Sequence, residues 1–90
     1  MTRLSLPLGE VLKGLRRQRR WSQEELAALA DLDRSYVGEI ERGRVSPGLA
    51  TLEKLAGAFE MPISELISRS ETLGHSAEIR GQPVFDGDNP

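Results

Sequence analysis

Cysteine is absent from this 90-residue chain, histidine occurs once, and no apolar run approaches the roughly 18 residues that a membrane span requires. Without cysteine there is neither a disulfide framework nor a thiolate zinc site, which agrees with a reducing compartment. Arg3, Pro7, Glu10 and Lys13 interrupt any apolar segment near the start, so no targeting peptide is visible and the cytoplasm is the expected location. His75 falls in a stretch that reads as a tail, and no carboxylate pair sits in a recognisable catalytic frame. An enzyme is therefore not expected, and neither a metal nor a cofactor is. A positive total is missing as well: twelve Lys and Arg against fourteen Asp and Glu leave a net charge of −2.

What is present describes one small globular domain. Hydrophobic residues make up 38% and charged residues 29%, a soluble composition. A single core at this length removes only roughly 60 to 65% of the unfolded surface from water, so stability is modest and oligomerisation would help. The charge is unevenly placed. Residues 1–48 carry nine Lys and Arg against seven acids, or +2, whereas residues 49–90 carry three against seven, or −4. Arg16, Arg17, Arg19 and Arg20 crowd one short segment, so a local positive patch survives the acidic total. A solvated helix face favoured by the helix dipole accounts for that patch equally well.

Leu8, Val11, Leu12 and Leu15 fall at i, i+3, i+4 and i+7, which predicts a first helix from about Pro7 to Arg19 with Pro7 in its first turn. Ser22-Gln23-Glu24-Glu25 is a capping-box pattern, in which the Ser22 hydroxyl accepts from the Glu25 amide while the Glu25 carboxylate reaches back. A second helix therefore starts at about Gln23, with Leu26, Ala27 and Ala30 inward, the two alanines admitting a close neighbour. Only Asp31, Leu32 and Asp33 intervene before Val37 and Ile40 resume the period, a tight helix-to-helix turn with Asp33 as N-cap and Gly43 as the later stop. Ser46-Pro47-Gly48 breaks the chain before Leu49, Leu52, Leu55, Ala56 and Phe59 mark a fourth helix ending near Glu60. Met61-Pro62 punctuates again, and Ile63, Leu66 and Ile67 predict a short fifth helix. Beyond about Ser70 the helical period is lost while Gly, Pro and Asp accumulate. The expected organisation is an all-α, five-helix domain over 1–69, followed by a tail over 70–90 that is flexible or contributes to dimerisation.

The string "SQEELAALADLDRSYVGEIERG", set among five short helices and followed by "LEKLAGAF", resembles the lambda-repressor-like helix-turn-helix family of Cro/Xre type. The resemblance spans about Leu8 to Ile67, and "LDRSYVGEIERG" is similar to the small controller proteins of restriction-modification systems. Two positions depart from the family pattern. Arg20 stands where a glycine usually follows helix one, and Asp31 replaces the turn glycine after helix two. Asp tolerates left-handed backbone well, while Arg20 points to an altered first turn.

The resemblance implies a sequence-specific transcriptional regulator that binds double-stranded operator DNA as a homodimer, with a recognition helix at about Arg34–Arg42 in the major groove. Base contacts would come from Arg34, Ser35, Tyr36 and Glu39. Arg34 offers a planar fork to guanine O6 and N7. Ser35 suits a base, a phosphate or the cap, and Tyr36 suits a thymine methyl or the neighbouring core. Glu39 would accept from cytosine N4 or steer Arg34 and Ser35, and its repulsion from phosphate penalises wrong sequences. Phosphate contacts would come from Gln23 at the start of helix two, from Arg19 and Arg20, and from Arg42 and Arg44 around Gly43. Arg42 also has Glu39 within reach three residues earlier. Arg16 and Glu41 would form a structural ion pair, Trp21 a plug between the first two helices, and Ile63, Leu66 and Ile67 the dimer surface, to which Val84 and Phe85 could add.

Two other uses of the same fold remain open at this point. An antitoxin would devote the tail to a protein toxin, and an RNA polymerase contact would use Glu24 and Glu25 on helix two. No membrane partner is expected.

Overall fold

The computed structural model describes residues 3–79. Five helices follow one another: α1 (Ser5–Gln18), α2 (Gln23–Ala30), α3 (Arg34–Glu41), α4 (Leu49–Ala58) and α5 (Ile63–Ile79), with no strand among the described residues. Each sends its apolar stripe to one core. Leu8, Leu12 and Leu15 of α1 meet Leu26, Ala27 and Ala30 of α2, Val37 and Ile40 of α3, Leu55, Ala56 and Phe59 at α4, and Leu66 of α5. Full burial of each large apolar side chain is worth about 1.5–3 kcal/mol. α1 packs on α3 and α5, and α2 packs on α3 and α4. Ala27 and Ala30 are the small side chains through which α2 seats on its neighbours.

Two glycines set the height of α3. A Cβ on Gly9 would stand 2.4 Å from the Glu41 carbonyl oxygen and 2.6 Å from that of Ile40, so the α1 backbone rests directly on the C-terminal end of α3. Gly43, at φ +73°, brings the chain within reach of Leu6, whose Cα would lie 2.9 Å from a Cβ there. The hydroxyls of Ser5 and Ser46 close the same corner at 2.8 Å.

The first four helices end on one device, a residue in left-handed backbone followed by an N–H that bonds the carbonyl five residues back. The left-handed positions are Arg20 (φ 59°), Asp31 (φ 57°), Gly43 (φ 73°) and Glu60 (φ 57°). The closing bonds are Trp21 N–H to Arg16 O, Leu32 to Ala27, Arg44 to Glu39 and Met61 to Ala56, each between 2.8 and 3.0 Å. Three of the four positions carry a side chain. Arg20 therefore keeps the turn that glycine would make, at a conformational cost.

Several expectations need correction. α1 begins at Ser5, ahead of Pro7, which stays in the first turn. Asp33 occupies the N-cap of α3 in extended backbone, but its carboxylate makes no capping bond. The fifth helix is not short: α5 continues to Ile79, so the boundary expected at 69/70 cuts through it. Its inward stripe past Leu66 is made of Ser70 and Gly74 rather than large apolar residues, which is why the period fades while the helix goes on. Ser70 is buried and donates to the Leu66 carbonyl at 2.9 Å, and Gly74 lies against Pro7. Leu66, expected on a dimer surface, is wholly inside the monomer core. Ile63 and Ile67 are half-buried. Val84 and Phe85 lie outside the described residues.

Candidate nucleic-acid interface

The three-residue turn Asp31–Asp33 leads from the C-terminus of α2 into the N-terminus of α3, and Gln23 at the start of α2 reaches Gly38 and Glu41 further along α3. Val37 and Ile40 are buried, so the opposite side of α3 faces out. On that side Arg34 and Ser35 are exposed, Tyr36 is half-buried with its inner edge on the core, and Glu39 lies one turn further along. Together with Gln23, Gly38 and Arg42 these residues line one open concavity. A second concavity adjoins it at the start of α2, lined by Arg16, Ser22, Gln23, Glu24 and Arg34. All four residues expected to contact bases thus share one surface.

Beneath it lies a buried ion pair. Arg16 Nε donates to Glu41 Oε2 at 2.7 Å and Nη2 to Oε1 at 3.0 Å, while Nη1 reaches the Trp21 carbonyl at 2.9 Å. The pair implied by the resemblance is present, and Gln23 joins it: its Nε2 donates to Glu41 Oε1 at 3.0 Å. Burial pushes the Glu41 carboxyl up, but hydrogen bonds from Arg16 and Gln23, with the charges of Arg16 and Lys13, hold it below its ordinary range. The Glu41 hydrogen bond raises Arg16 against the opposing effect of burial. One carboxylate therefore ties α1, the start of α2 and the end of α3 together, which fixes the surface above it.

The basic residues divide. Arg20 and Arg44 are exposed. Arg19 does something the sequence did not indicate: Nη2 donates to the Phe59 carbonyl at 3.2 Å, and its guanidinium lies 5.3 Å from the Trp21 ring centre and 5.6 Å from that of Phe59. Trp21 stacks on Phe59 with ring centres 5.4 Å apart, so it plugs the α1–α4 seam rather than the space between the first two helices alone. Arg42 is paired with Glu39 at 2.5 Å. The hydrogen bond from Arg42, working against slight desolvation, and the charges of Arg42 and Arg44 hold the Glu39 carboxyl below its ordinary range.

The capping box at α2 is complete. Ser22 Oγ accepts from the Glu25 amide at 3.0 Å, and Glu25 Oε1 accepts from the Ser22 amide at 2.7 Å. Glu24 and Glu25, the patch expected to meet RNA polymerase, are both exposed, and Glu25 also closes the helix end through Oε1. Among the described residues no group of three His, Cys, Asp or Glu side chains could hold a metal ion, and no helix is long and apolar enough to cross a membrane.

A family model described as helix-turn-helix matches residues 12–66. The chain belongs to the helix-turn-helix family, in its Cro/Xre branch. Within the family it is 41% identical over 68 residues to the immunity repressor protein of Bacillus phage phi105, an alignment covering 76% of this chain and 46% of that protein. It thus spans less than half of that repressor's length. Its fold matches the restriction-modification controller protein C.AhdI of Aeromonas hydrophila with a TM-score of 0.65 at 44% identity, covering 68% of this chain and 92% of the other. The controller protein C.Esp1396I, solved as a tetramer with its natural 35 base-pair operator, matches with a TM-score of 0.71 at 26% identity, over 82% and 96% of the two chains.

Proposed function

We propose that this chain is a sequence-specific DNA-binding transcriptional regulator that engages an operator as a homodimer through α3. The observation that carries the reading is the convergence of Arg34, Ser35, Tyr36 and Glu39 on one outward surface of a helix whose other side is locked in the core. B-DNA's major groove, about 12 Å wide, admits one helix with its side chains. In it, Arg34 reads guanine and Glu39 accepts from an amino group of cytosine. Ser35 and the exposed edge of Tyr36 complete the readout. The free amides at the start of α2 and the exposed Arg20 and Arg44 take phosphates, and Gln23 orients its amide through Glu41. Arg19 is left out of this set because its guanidinium already serves Phe59 and Trp21. The relatives support the reading, since they include a phage immunity repressor and a controller protein solved on its operator.

One module makes few contacts, and pairing places two copies on half-sites about 34–36 Å apart. With Leu66 committed to the core, the pairing surface is drawn instead from Ile67, Pro47 and Leu52, which line one apolar hollow, and from Leu49, 68% exposed one turn before Leu52. Selection of bound duplexes from a random pool at stated salt tests the proposal. An inverted-repeat consensus is the expected product. Recovery of unenriched sequence at every salt concentration would refute it.

A further inference from the structure

Arg42 closes α3, where the family resemblance directs a cation towards phosphate, yet its guanidinium is turned back along the helix. Nη2 donates to Glu39 Oε2 at 2.5 Å. Both terminal nitrogens pass Gly38, at 3.5 and 3.6 Å from where a Cβ would stand, and Gln23 Oε1 approaches the same point at 3.7 Å. A methyl at Gly38 would meet the guanidinium only at ordinary van der Waals distance. Arg44, two residues on, remains exposed and adds its field to Glu39.

We propose that Glu39 is a positioning residue that withholds Arg42 from the phosphate backbone, so that Glu39 and Arg42 form a charge-neutral clasp that lowers affinity for unselected DNA. The inference rests on the DNA-binding reading above. A phosphate contact strengthens binding to every sequence alike and carries no information. Holding one cation back on unselected sequence therefore lowers the non-specific background, and the specificity ratio rises. In bulk water an exposed pair of this kind is weak. Against DNA it is reinforced, because releasing Arg42 would leave the Glu39 carboxylate bare among phosphates. Glu39 thus has two states: clasped to Arg42 on unselected sequence, or satisfied by a base donor on the selected one.

The test is the salt dependence of binding to a random-sequence duplex by the full chain and by Glu39→Ala, Arg42→Ala and the double variant, each shown by circular dichroism to be folded. The clasp predicts that Arg42→Ala leaves the slope of log affinity against log salt unchanged, because Arg42 is not on a phosphate when Glu39 is present. Glu39→Ala steepens the slope by about 0.9, one added phosphate contact, which widens the affinity ratio between 50 and 200 mM salt by about 3.5-fold. Adding Arg42→Ala to Glu39→Ala restores the original slope. If Arg42→Ala alone flattens the slope by about 0.9, Arg42 is an ordinary phosphate ligand, and if Glu39→Ala does not change it, Glu39 withholds nothing; either result overturns the clasp. A wild-type chain with no salt-dependent affinity for DNA would overturn the DNA-binding reading and the clasp with it.

Discussion

Arg16→Ala removes two hydrogen bonds to a carboxylate that is 1% exposed and a third to the Trp21 carbonyl. Glu41 would keep only the Gln23 amide. Leaving one member of a buried pair without its partner costs about 3–5 kcal/mol. A domain of 90 residues has about 4.5–13.5 kcal/mol in all at 0.05–0.15 kcal/mol per residue, so the variant stands near unfolding. Urea denaturation at pH 7, followed by circular dichroism, should show this loss with an unchanged m-value, and the Tm should fall by about 12 °C or more. Replacing both partners, Arg16→Met with Glu41→Leu, should fall within about 1 kcal/mol of wild type or exceed it, because no charge is then stranded.

Acid breaks the same pair from the Glu41 side, and reversibly. The folded-state pKa of Glu41 lies below its ordinary value of 4.5, so the native state gains from ionisation: that stability is fully present above 4.5 and drains away as pH falls through the folded value. The gap in stability between wild type and Glu41→Gln should therefore be complete at pH 7 and narrow below pH 4.5. A cost below about 1 kcal/mol for Arg16→Ala, or a gap that stays constant down to pH 3, would refute the reasoning.

Gly9→Ala forces a methyl to within 2.4 Å of a backbone carbonyl, so α1 must lift from α3; a loss of about 3 kcal/mol or more in denaturant unfolding is expected, and near-neutrality would contradict the contact. Arg20→Gly relieves left-handed strain of about 1–2 kcal/mol against an entropic cost of about 0.5–1, so a net change between about 0 and 1.5 kcal/mol in favour of glycine is expected in the same assay, and a clear loss would contradict the strain. Leu66→Ala should destabilise the monomer by about 2–5 kcal/mol, whereas Leu49→Glu should leave the fold intact and shift sedimentation towards the monomer.

The parts of the fold legible in the sequence were those written in side-chain period or local capping. The α1 stripe from Leu8 to Leu15, the Ser22–Glu25 box and the glycine stop at Gly43 each depend on residues a few positions apart, and each formed as read. The extension of α5 was hidden because Ser70 is buried and Gly74 lies against Pro7, and small inward residues leave no hydrophobic period. Leu66 was misplaced for a related reason: a helix thought to be short and uncovered is in fact covered by α1. At the interface, motif position sufficed to bring Arg34, Ser35, Tyr36 and Glu39 to one surface. It did not reveal that Arg19 crosses to Phe59, forty residues away, or that Gln23 bonds Glu41, since those contacts exist only once α1, α2 and α4 are packed.

In the proposed reading the first outward side chains of α3 meet bases while the cations beyond it hold phosphates. Its most direct test compares Arg34→Ala with Arg44→Ala on the full set of duplexes recovered from a random pool. Arg34→Ala should lose discrimination at one base pair, by about 1–3 kcal/mol, and keep the remaining preferences. Arg44→Ala should weaken all duplexes alike and flatten the salt slope by about 0.9. If the two variants lower affinity equally for every duplex, with no position losing its preference in Arg34→Ala, α3 does not read DNA in the manner described.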